Sequence, residues 1–479
     1  MRFALLLAIP AALALAGAAA PDPLAALAAA VGDPAALHLR AQATTTADGQ
    51  QTVTTLDLQG SQRLLRTCVA DVCAGTWFDG HRGWTFGLNE VPLPAGDDPA
   101  LPALRSLAAI ASYAFVEPAF QAAGGVVEAV APNRWRVRAP DGAPLVATID
   151  PRTLAVETVV DAGGTPIAQY GRIVRVGDAA FALQRAGPEE RTFERVDLVA
   201  GPLGAPDGAP VTFGDPAPLA LADDPVPIVP CRLGGRLVRC LLDTGTTPSA
   251  ITLAFSEELG LEPHGELDIA GFHRFATGFV QAGPLALGPA RFAQARFAVI
   301  PATRELHFDV IVGADLLGAL QLTLDRAAAT VALGPTAPNR PADAIPLAFP
   351  QGVPLVDVTV AGVGVRALLD SGDAATLSLD YETYRRGPHW PPVARGEAIG
   401  VAGEGGVFDV DVPDVRIGTL DLGTVRTAVR WTQAVSHLGL GLAHRCALDL
   451  DEAAGYLRCL PKRAELSPGR LRAPRRSAA

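Results

Sequence analysis

The sequence predicts a mainly β protein. Its C-terminal half is expected to form two duplicated β-lobes, arranged as an intrachain pseudo-dimer and preceded by an antiparallel α+β domain. Two observations predict this class: apolar and polar residues alternate with period two from residue 38 onward, and a unit of about 110 residues occurs twice after residue 225. A chain of 479 residues also exceeds the size of a single core, so two or three domains are expected.

Composition excludes several classes of function. Hydrophobic residues make up 49% of the chain and charged residues 19%, which is typical of a folded protein rather than a disordered one. The formal net charge of −11 argues against a nucleic-acid partner. The histidines are scattered without the spacing of metal ligands, so no metal and no cofactor are predicted.

The N-terminus predicts export. Met1-Arg2-Phe3 is followed by an apolar run over residues 4–20, which is the pattern of a signal peptide. Cleavage is expected after 16–18 (Ala-Gly-Ala) or after residue 20, and an uncleaved anchor is the alternative. With the signal removed no transmembrane segment is expected, and the mature chain is predicted to be a periplasmic or secreted monomer.

Residues 21–200 are predicted to form the accessory α+β domain. Residues 21–38 and 99–123 are Ala-rich and indicate helices, while short alternating runs between Gly and Asp turns indicate strands. The strand rhythm resembles, weakly, the half-barrel of periplasmic lipoprotein carriers. Residues 201–224 are rich in Gly, Pro, Ala and Asp and are predicted to be a linker, and the basic tail 462–479 is predicted to be disordered.

The repeat spans residues 225–340 (the first repeat) and 341–461 (the second repeat). In each, a predicted hairpin ends in an apolar-apolar-Asp-Thr/Ser-Gly motif, at 241–245 and at 368–372. An apolar stretch ending in glycine follows 70 residues after Asp243, at Gly313, and 69 residues after Asp370, at Gly439. Several features in the same register make a chance similarity improbable and predict a duplicated lobe.

These paired motifs resemble those of the aspartic peptidases, with lobes of retropepsin-like size placed on one chain as in the pepsin-like branch. The resemblance covers roughly residues 226–461. It implies that Asp243 and Asp370 meet at a pseudo-twofold axis as a catalytic dyad. Two carboxylates held about 3 Å apart cannot both ionise, so together they supply a base for water and an acid for the amide.

The resemblance also assigns supporting roles. Thr244 and Ser371 would lock the two loops together, and Gly245 and Gly372 would let the chain turn beside the carboxylates. The substrate is expected to be a polypeptide. Two flap hairpins are expected at 268–280 and 398–407, and the predicted substrate-binding residues are Thr246, Asp373, Gly271, Phe272 and Gly403.

Six cysteines fall into three local pairs. An even number of cysteines in an exported chain predicts disulfides, although 15 connectivities are possible. Pairing between sequence neighbours would join adjacent antiparallel strands. The predicted pairs are Cys68/Cys73, Cys231/Cys240 and Cys446/Cys459.

The function predicted from these features is an exported aspartic endopeptidase. The alternative is a catalytically silent envelope protein with the same fold that binds a peptide, a lipid or a partner. A separate possibility is that the N-terminal domain gates the peptidase. At each motif taken singly, an ordinary turn aspartate after a buried strand is also compatible with the sequence, and the repeat is what favours the dyad.

Overall fold

The computed structural model describes residues 23–461 except 32–36, 48–49, 70–71, 96–100, 154, 177–178, 187–194, 207–210, 271–273, 302–306, 350–351 and 402. The predicted signal peptide 1–20 and tail 462–479 lie outside the described residues. The prediction of a mainly β protein is confirmed, because the described elements are mostly strands arranged in five sheets.

Two antiparallel sheets build the N-terminal region. Their strands are β1 Leu39–Ala47, β2 Gln50–Gln59, β3 Gln62–Val69, β4 Val72–Phe78, β5 Gly83–Phe86, β6 Leu93–Pro94, β7 Val126–Ala131, β8 Arg134–Arg138, β9 Leu145–Ile149, β10 Val156–Asp161, β11 Pro166–Val176, β12 Ala179–Ala186 and β13 Arg195–Leu198. The first sheet has the order β13-β1-β2-β3-β4-β5-β6 and the second β12-β11-β10-β9-β8-β7. Sequential strands are neighbours in both, as short hairpin connections require.

Helices pack on the second of these sheets. They are α1 Pro23–Val31, α2 Leu101–Ala111, a 3₁₀ turn at Ala114–Val116, and α3 Pro118–Ala122. The single helix expected over residues 99–123 is therefore interrupted. Tyr113 adopts a left-handed conformation with φ 59°, and Pro118 opens a new helix at its first turn, where its missing N–H costs no hydrogen bond.

The first repeat forms a ten-stranded sheet. Its strands, with those it adds to a second sheet, are β14 Val211–Phe213, β15 Leu219–Ala220, β16 Ile228–Leu233, β17 Arg236–Asp243, β18 Ala250–Thr252, β19 His264–Ala270, β20 Arg274–Ala282, β21 Leu285–Leu287, β22 Ala290–Phe292, β23 Ala295–Ile300, β24 Val310–Gly313, β25 Leu320–Asp325 and β26 Thr330–Pro335. Two short helices, α4 Leu253–Glu258 and α5 Ala314–Leu317, lie between them. The predicted linker contributes β14 and β15, which pair with β22 and β26.

The second repeat forms a seven-stranded sheet. The elements of the repeat are β27 Ile345–Pro346, β28 Leu355–Val360, β29 Val363–Asp370, β30 Leu377–Asp380, α6 Tyr381–Arg386, β31 Pro392–Gly400, β32 Gly403–Ile417, β33 Leu420–Arg430, β34 Ser436–Gly439, a 3₁₀ turn at Leu440–His444, β35 Ala447–Asp451 and β36 Tyr456–Leu460. The order of the strands in the sheet is β28-β29-β34-β30-β33-β32-β31. Asp380 caps α6 by accepting a hydrogen bond from the N–H of Thr383.

Strand pairing is equivalent in the two repeats around the aspartates. β17 runs parallel to β24 with Asp243 opposite Gly313, and β29 runs parallel to β34 with Asp370 opposite Gly439. A short strand, β18 or β30, then pairs antiparallel with the glycine-bearing strand. Both aspartates thus end a buried strand that has a neighbour on each side.

One sheet contains strands from both repeats. Its order is β15-β26-β25-β35-β36-β27, and the junction is the antiparallel pair β25–β35, with Leu322 opposite Leu450. A single hydrophobic core runs through both repeats and includes Leu93 from the N-terminal region. The repeats therefore form one body, held together by backbone hydrogen bonds and by a shared core.

Three disulfides join neighbouring strands, as predicted from the local cysteine pairs: Cys68–Cys73, Cys231–Cys240 and Cys446–Cys459. The first connects β3 to β4, the second β16 to β17 and the third the turn before β35 to β36. None of the helices in the described part of the chain combines the length and apolarity needed to cross a bilayer.

Candidate active site

The structure brings Asp243 and Asp370 together. Their carboxyl groups are close enough to share a hydrogen bond. Asp243 is 8% exposed, and the side chain of Asp370 is 13% exposed. The sequence motif could not show this contact, because it depends on how two loops 127 residues apart meet.

Hydroxyl groups lock the two loops across the axis. Oγ1 of Thr244 donates to the carbonyl of Leu369 (2.7 Å) and accepts from the N–H of Ser371 (3.0 Å). Oγ of Ser371 in turn donates to the carbonyl of Leu242 (2.7 Å) and accepts from the N–H of Thr244 (3.0 Å). Each loop therefore satisfies buried backbone groups of the other, which fixes the distance between the two carboxyl groups.

Two glycines permit the close approach of the carboxyl groups. A Cβ at Gly245 would lie 2.6 Å from Cγ of Asp370, and a Cβ at Gly372 would lie 2.6 Å from Oδ2 of Asp243. Any side chain at either position would therefore displace the carboxyl group of the opposite loop. The N–H of Gly245 also donates to Oδ1 of Asp243 at 2.9 Å.

The two carboxyl groups have different surroundings. Burial raises the pKa of Asp243 well above its usual value, and the negative charge of Asp370 raises it further, while the hydroxyl of Thr246 opposes the rise. Burial also acts to raise the pKa of Asp370. The ring of His437, 2.8 Å away, outweighs the effect of burial, and the pKa of Asp370 is lowered. Burial and the repulsion between the two carboxylates therefore favour a state in which the pair holds one proton.

Thr246 and Asp373 follow the two motifs at equivalent positions, but their side chains make different contacts. Oγ1 of Thr246 donates to Oδ2 of Asp243 at 2.6 Å. The carboxylate of Asp373 is turned inward, where it accepts from Ser378 Oγ (2.6 Å) and pairs with Arg430 (2.8 Å). The substrate-binding roles of Thr246 and Asp373 remain predictions, and in this structure both side chains are engaged within the protein.

His437 is a functional candidate that the sequence motif did not identify. Its Nδ1 lies 2.8 Å from Oδ2 of Asp370 and 3.7 Å from Oδ2 of Asp373. Ligand-type atoms of Asp370, Asp373 and His437 lie within 4.8 Å of one another. A metal ion there would have to compete with the guanidinium of Arg430 for Asp373, so we assign no metal ligands to this cluster.

A carboxylate supports the first loop from below. Oδ1 of Asp315 accepts from both the N–H (2.8 Å) and the hydroxyl (2.5 Å) of Ser249, and Ser249 Oγ accepts from the N–H of Gly313. Asp315 lies within the first turn of the helix Ala314–Leu317. Asp315 is 1% exposed.

Hairpins stand where the flaps were expected. In the first repeat β19 pairs with β20, and in the second β31 pairs with β32 through Gly400 opposite Gly403. Gly271 and Phe272 lie outside the described residues, and Gly403 has φ 141°, which favours glycine. An apolar cluster next to Asp243 contains Leu241 and Ile311. Ile269 and Phe275 of the first hairpin and Val401 of the second pack against this cluster.

Part of this region is similar to known proteins. Residues 229–316, which contain the Asp243 motif, match the family model described as "Aspartyl protease". A solved retropepsin-like aspartic protease from Rickettsia conorii is similar over 22% of this chain and 90% of its own, with 17% identity and a TM-score of 0.19. No curated protein matches the chain.

Proposed function

We propose that this chain is an exported aspartic endopeptidase whose two duplicated lobes form an intrachain pseudo-dimer around the Asp243–Asp370 dyad. The observation that carries the proposal is the contact between the two carboxyl groups, held by reciprocal hydrogen bonds of Thr244 and Ser371. The match of residues 229–316 to an aspartyl protease model supports the same reaction class for the first lobe.

The pKa directions assign a role to each carboxyl group in the proposed reaction. Asp370, with its lowered pKa, is the base that takes a proton from water as the water oxygen attacks the peptide carbonyl carbon. Asp243, with its raised pKa, donates its proton to the carbonyl oxygen. The tetrahedral diol then collapses, the C–N bond breaks, and the amide nitrogen leaves with a proton returned through the dyad.

Export is supported by the disulfides. Three pairs, with no free cysteine among the described residues, match an oxidising compartment such as the periplasm or the extracellular medium. The N-terminal sequence pattern points the same way, so we propose a mature chain that lacks residues 1–20.

Asp243→Asn and Asp370→Asn test the function, with Asp357→Asn as a matched control. Asp357 is 81% exposed in its side chain and pairs only with Arg366 on the surface, so its loss should leave turnover unchanged. Cleavage of a diverse peptide library, measured by mass spectrometry from acid to neutral pH, should be lost in both dyad variants, with the folded state retained. Normal turnover in either dyad variant would exclude the mechanism, and no cleavage by the unmodified chain would favour a silent binding protein.

A further inference from the structure

His437 occupies a position at which the two lobes differ in chemistry. The parallel pairing of β29 with β34 places His437 opposite Leu368, and the equivalent pairing of β17 with β24 places Ile311 opposite Leu241. Ile311 is fully buried in the apolar cluster of the first lobe. His437 instead places Nδ1 2.8 Å from Oδ2 of Asp370, an ion-pair contact without hydrogen-bond alignment, with its side chain 16% exposed.

The two lobes also differ at the residue that follows each motif. In the first lobe the hydroxyl of Thr246 donates to Asp243, whereas the equivalent residue of the second lobe, Asp373, has a carboxylate that is buried and ionisable. An ionised carboxylate accepts hydrogen bonds and cannot donate one to Asp370. Asp373 therefore cannot take the place of Thr246 as a donor, and the ring of His437 lies against Asp370 instead, with 2.8 Å between Nδ1 and Oδ2.

The charges around His437 show which group it serves. Asp370 of β29 and Asp373 of the following loop face it, and Ser378 of the neighbouring β30 donates to Asp373. Arg430 of β33 pairs with Asp373 at 2.8 Å. Arg430 already compensates the charge of Asp373. The distance from His437 to Asp370 (2.8 Å) is also shorter than that to Asp373 (3.7 Å), so His437 is left to balance the charge of Asp370.

We propose that His437 is a positioning residue that keeps Asp370 as the ionised member of the dyad through the contact of its Nδ1 with Oδ2 of Asp370. The inference rests on the proposed peptidase function and adds a residue to it. A cation within about 4–6 Å lowers the pKa of a carboxyl group by roughly 1–3 pH units. His437 therefore extends the active pH range of the dyad toward acid, because the base Asp370 stays deprotonated to a lower pH.

The test is the pH profile of kcat/KM for His437→Ile and His437→Asn. Isoleucine copies the residue that the first lobe carries in the same register, so the strand can accept it. Asparagine keeps a donor without a titratable charge. We expect the acid limb to move to higher pH by roughly 1–3 units in His437→Ile and by less in His437→Asn. An acid limb that superimposes on that of the unmodified enzyme in His437→Ile would overturn the proposal.

A second measurement does not depend on turnover. The ring signals of the histidines can be followed by NMR against pH in the full chain and in Asp370→Asn, with the His437 signal identified by its absence in His437→Asn. Because coupling between two groups is reciprocal, the His437 titration should shift when Asp370 loses its charge. An unchanged titration would refute the coupling, whether or not the protein cleaves peptides. A shifted titration without cleavage would refute only the proposed function.

Discussion

Asn89 of the N-terminal region donates a hydrogen bond to Asp315 of the first repeat, with 2.7 Å between Nδ2 and Oδ2. The same side chain exchanges hydrogen bonds with the backbone of Arg296 on β23. Leu93 follows shortly and packs in the core shared by the two repeats. The N-terminal region therefore contributes to the support beneath the Asp243 loop, which bears on the proposal that it gates the peptidase.

Asn89→Ala should destabilise the fold at neutral pH by about 1–3 kcal/mol, because it removes a donor to a buried carboxylate. Burial raises the pKa of Asp315, and Asn89 opposes the rise. Without Asn89 that pKa rises further, so the loss due to the charge of Asp315 grows as pH increases through it and is absent below about pH 4, where Asp315 is protonated in both the folded and the unfolded chain. The loss of the two hydrogen bonds with Arg296 adds a part that is independent of pH.

Urea unfolding of Asn89→Ala from pH 4 to 8 measures this effect. Asn339→Ala, at an exposed position, is the matched control and should behave like the unmodified protein. A loss of equal size at pH 4 and pH 7 would show that Asn89 acts only through its hydrogen bonds with Arg296 and its packing, and not through the charge of Asp315.

Thr244→Val tests the hydrogen bonds between the two loops. Valine keeps the shape but leaves the carbonyl of Leu369 and the N–H of Ser371 without this partner, at a cost of roughly 1–3 kcal/mol. Turnover should fall with stability, since the same bonds set the separation of the carboxyl groups. In a double-mutant cycle with Ser371→Ala, measured by urea unfolding, the losses should be non-additive, and strict additivity would contradict a single coupled network.

Thr246→Val should move the basic limb of the pH profile. The hydroxyl of Thr246 lowers the pKa of Asp243, so its removal raises that pKa further and Asp243 keeps its proton to higher pH. We expect the basic limb of kcat/KM to shift upward by roughly one pH unit. Thr246→Ser retains the hydroxyl and should leave the limb in place; a downward shift in Thr246→Val would contradict the assignment of Asp243 as the proton donor.

Glu452→Gln should increase stability as pH rises. Glu452 is 1% exposed, its carboxyl oxygens have no hydrogen-bond partner among the described residues, and burial raises its pKa well above the usual value, aided by the charge of Asp315. The folded chain therefore loses stability as pH rises from about 4.3 through that raised pKa, by up to about 1.4 kcal/mol per pH unit. Glutamine removes this loss.

Urea unfolding of Glu452→Gln at several pH values should show an advantage over the unmodified chain that grows between pH 4 and 8. Glu157→Gln, at an exposed position on β10, is the control and should show no such trend. An advantage independent of pH would mean that Glu452 has the same pKa in the folded and the unfolded chain, and would contradict the prediction.

The sequence predicted the class of fold and the two aspartates, because a repeat with matched hairpins and matched glycines leaves few other arrangements. It did not predict the proposed role of His437. In sequence this residue only replaces an apolar one, and its contact with Asp370 depends on the pairing of β34 with β29. It also treated residues 201–224 as a linker, although two short strands there pair with the first repeat. Short edge strands carry too few residues for periodicity to reveal them.

The pairing of β25 with β35 joins the two halves of the site within a single molecule. A site assembled from two separate chains would dissociate on dilution, because its formation depends on the concentration of the chains. Here both halves belong to one chain, so the fold sets their local concentration. A single chain also allows each half to change alone: a substitution at residue 437 leaves residue 311 untouched. Two identical subunits must carry the same residue at equivalent positions, whereas this protein carries Ile311 at one and His437 at the other.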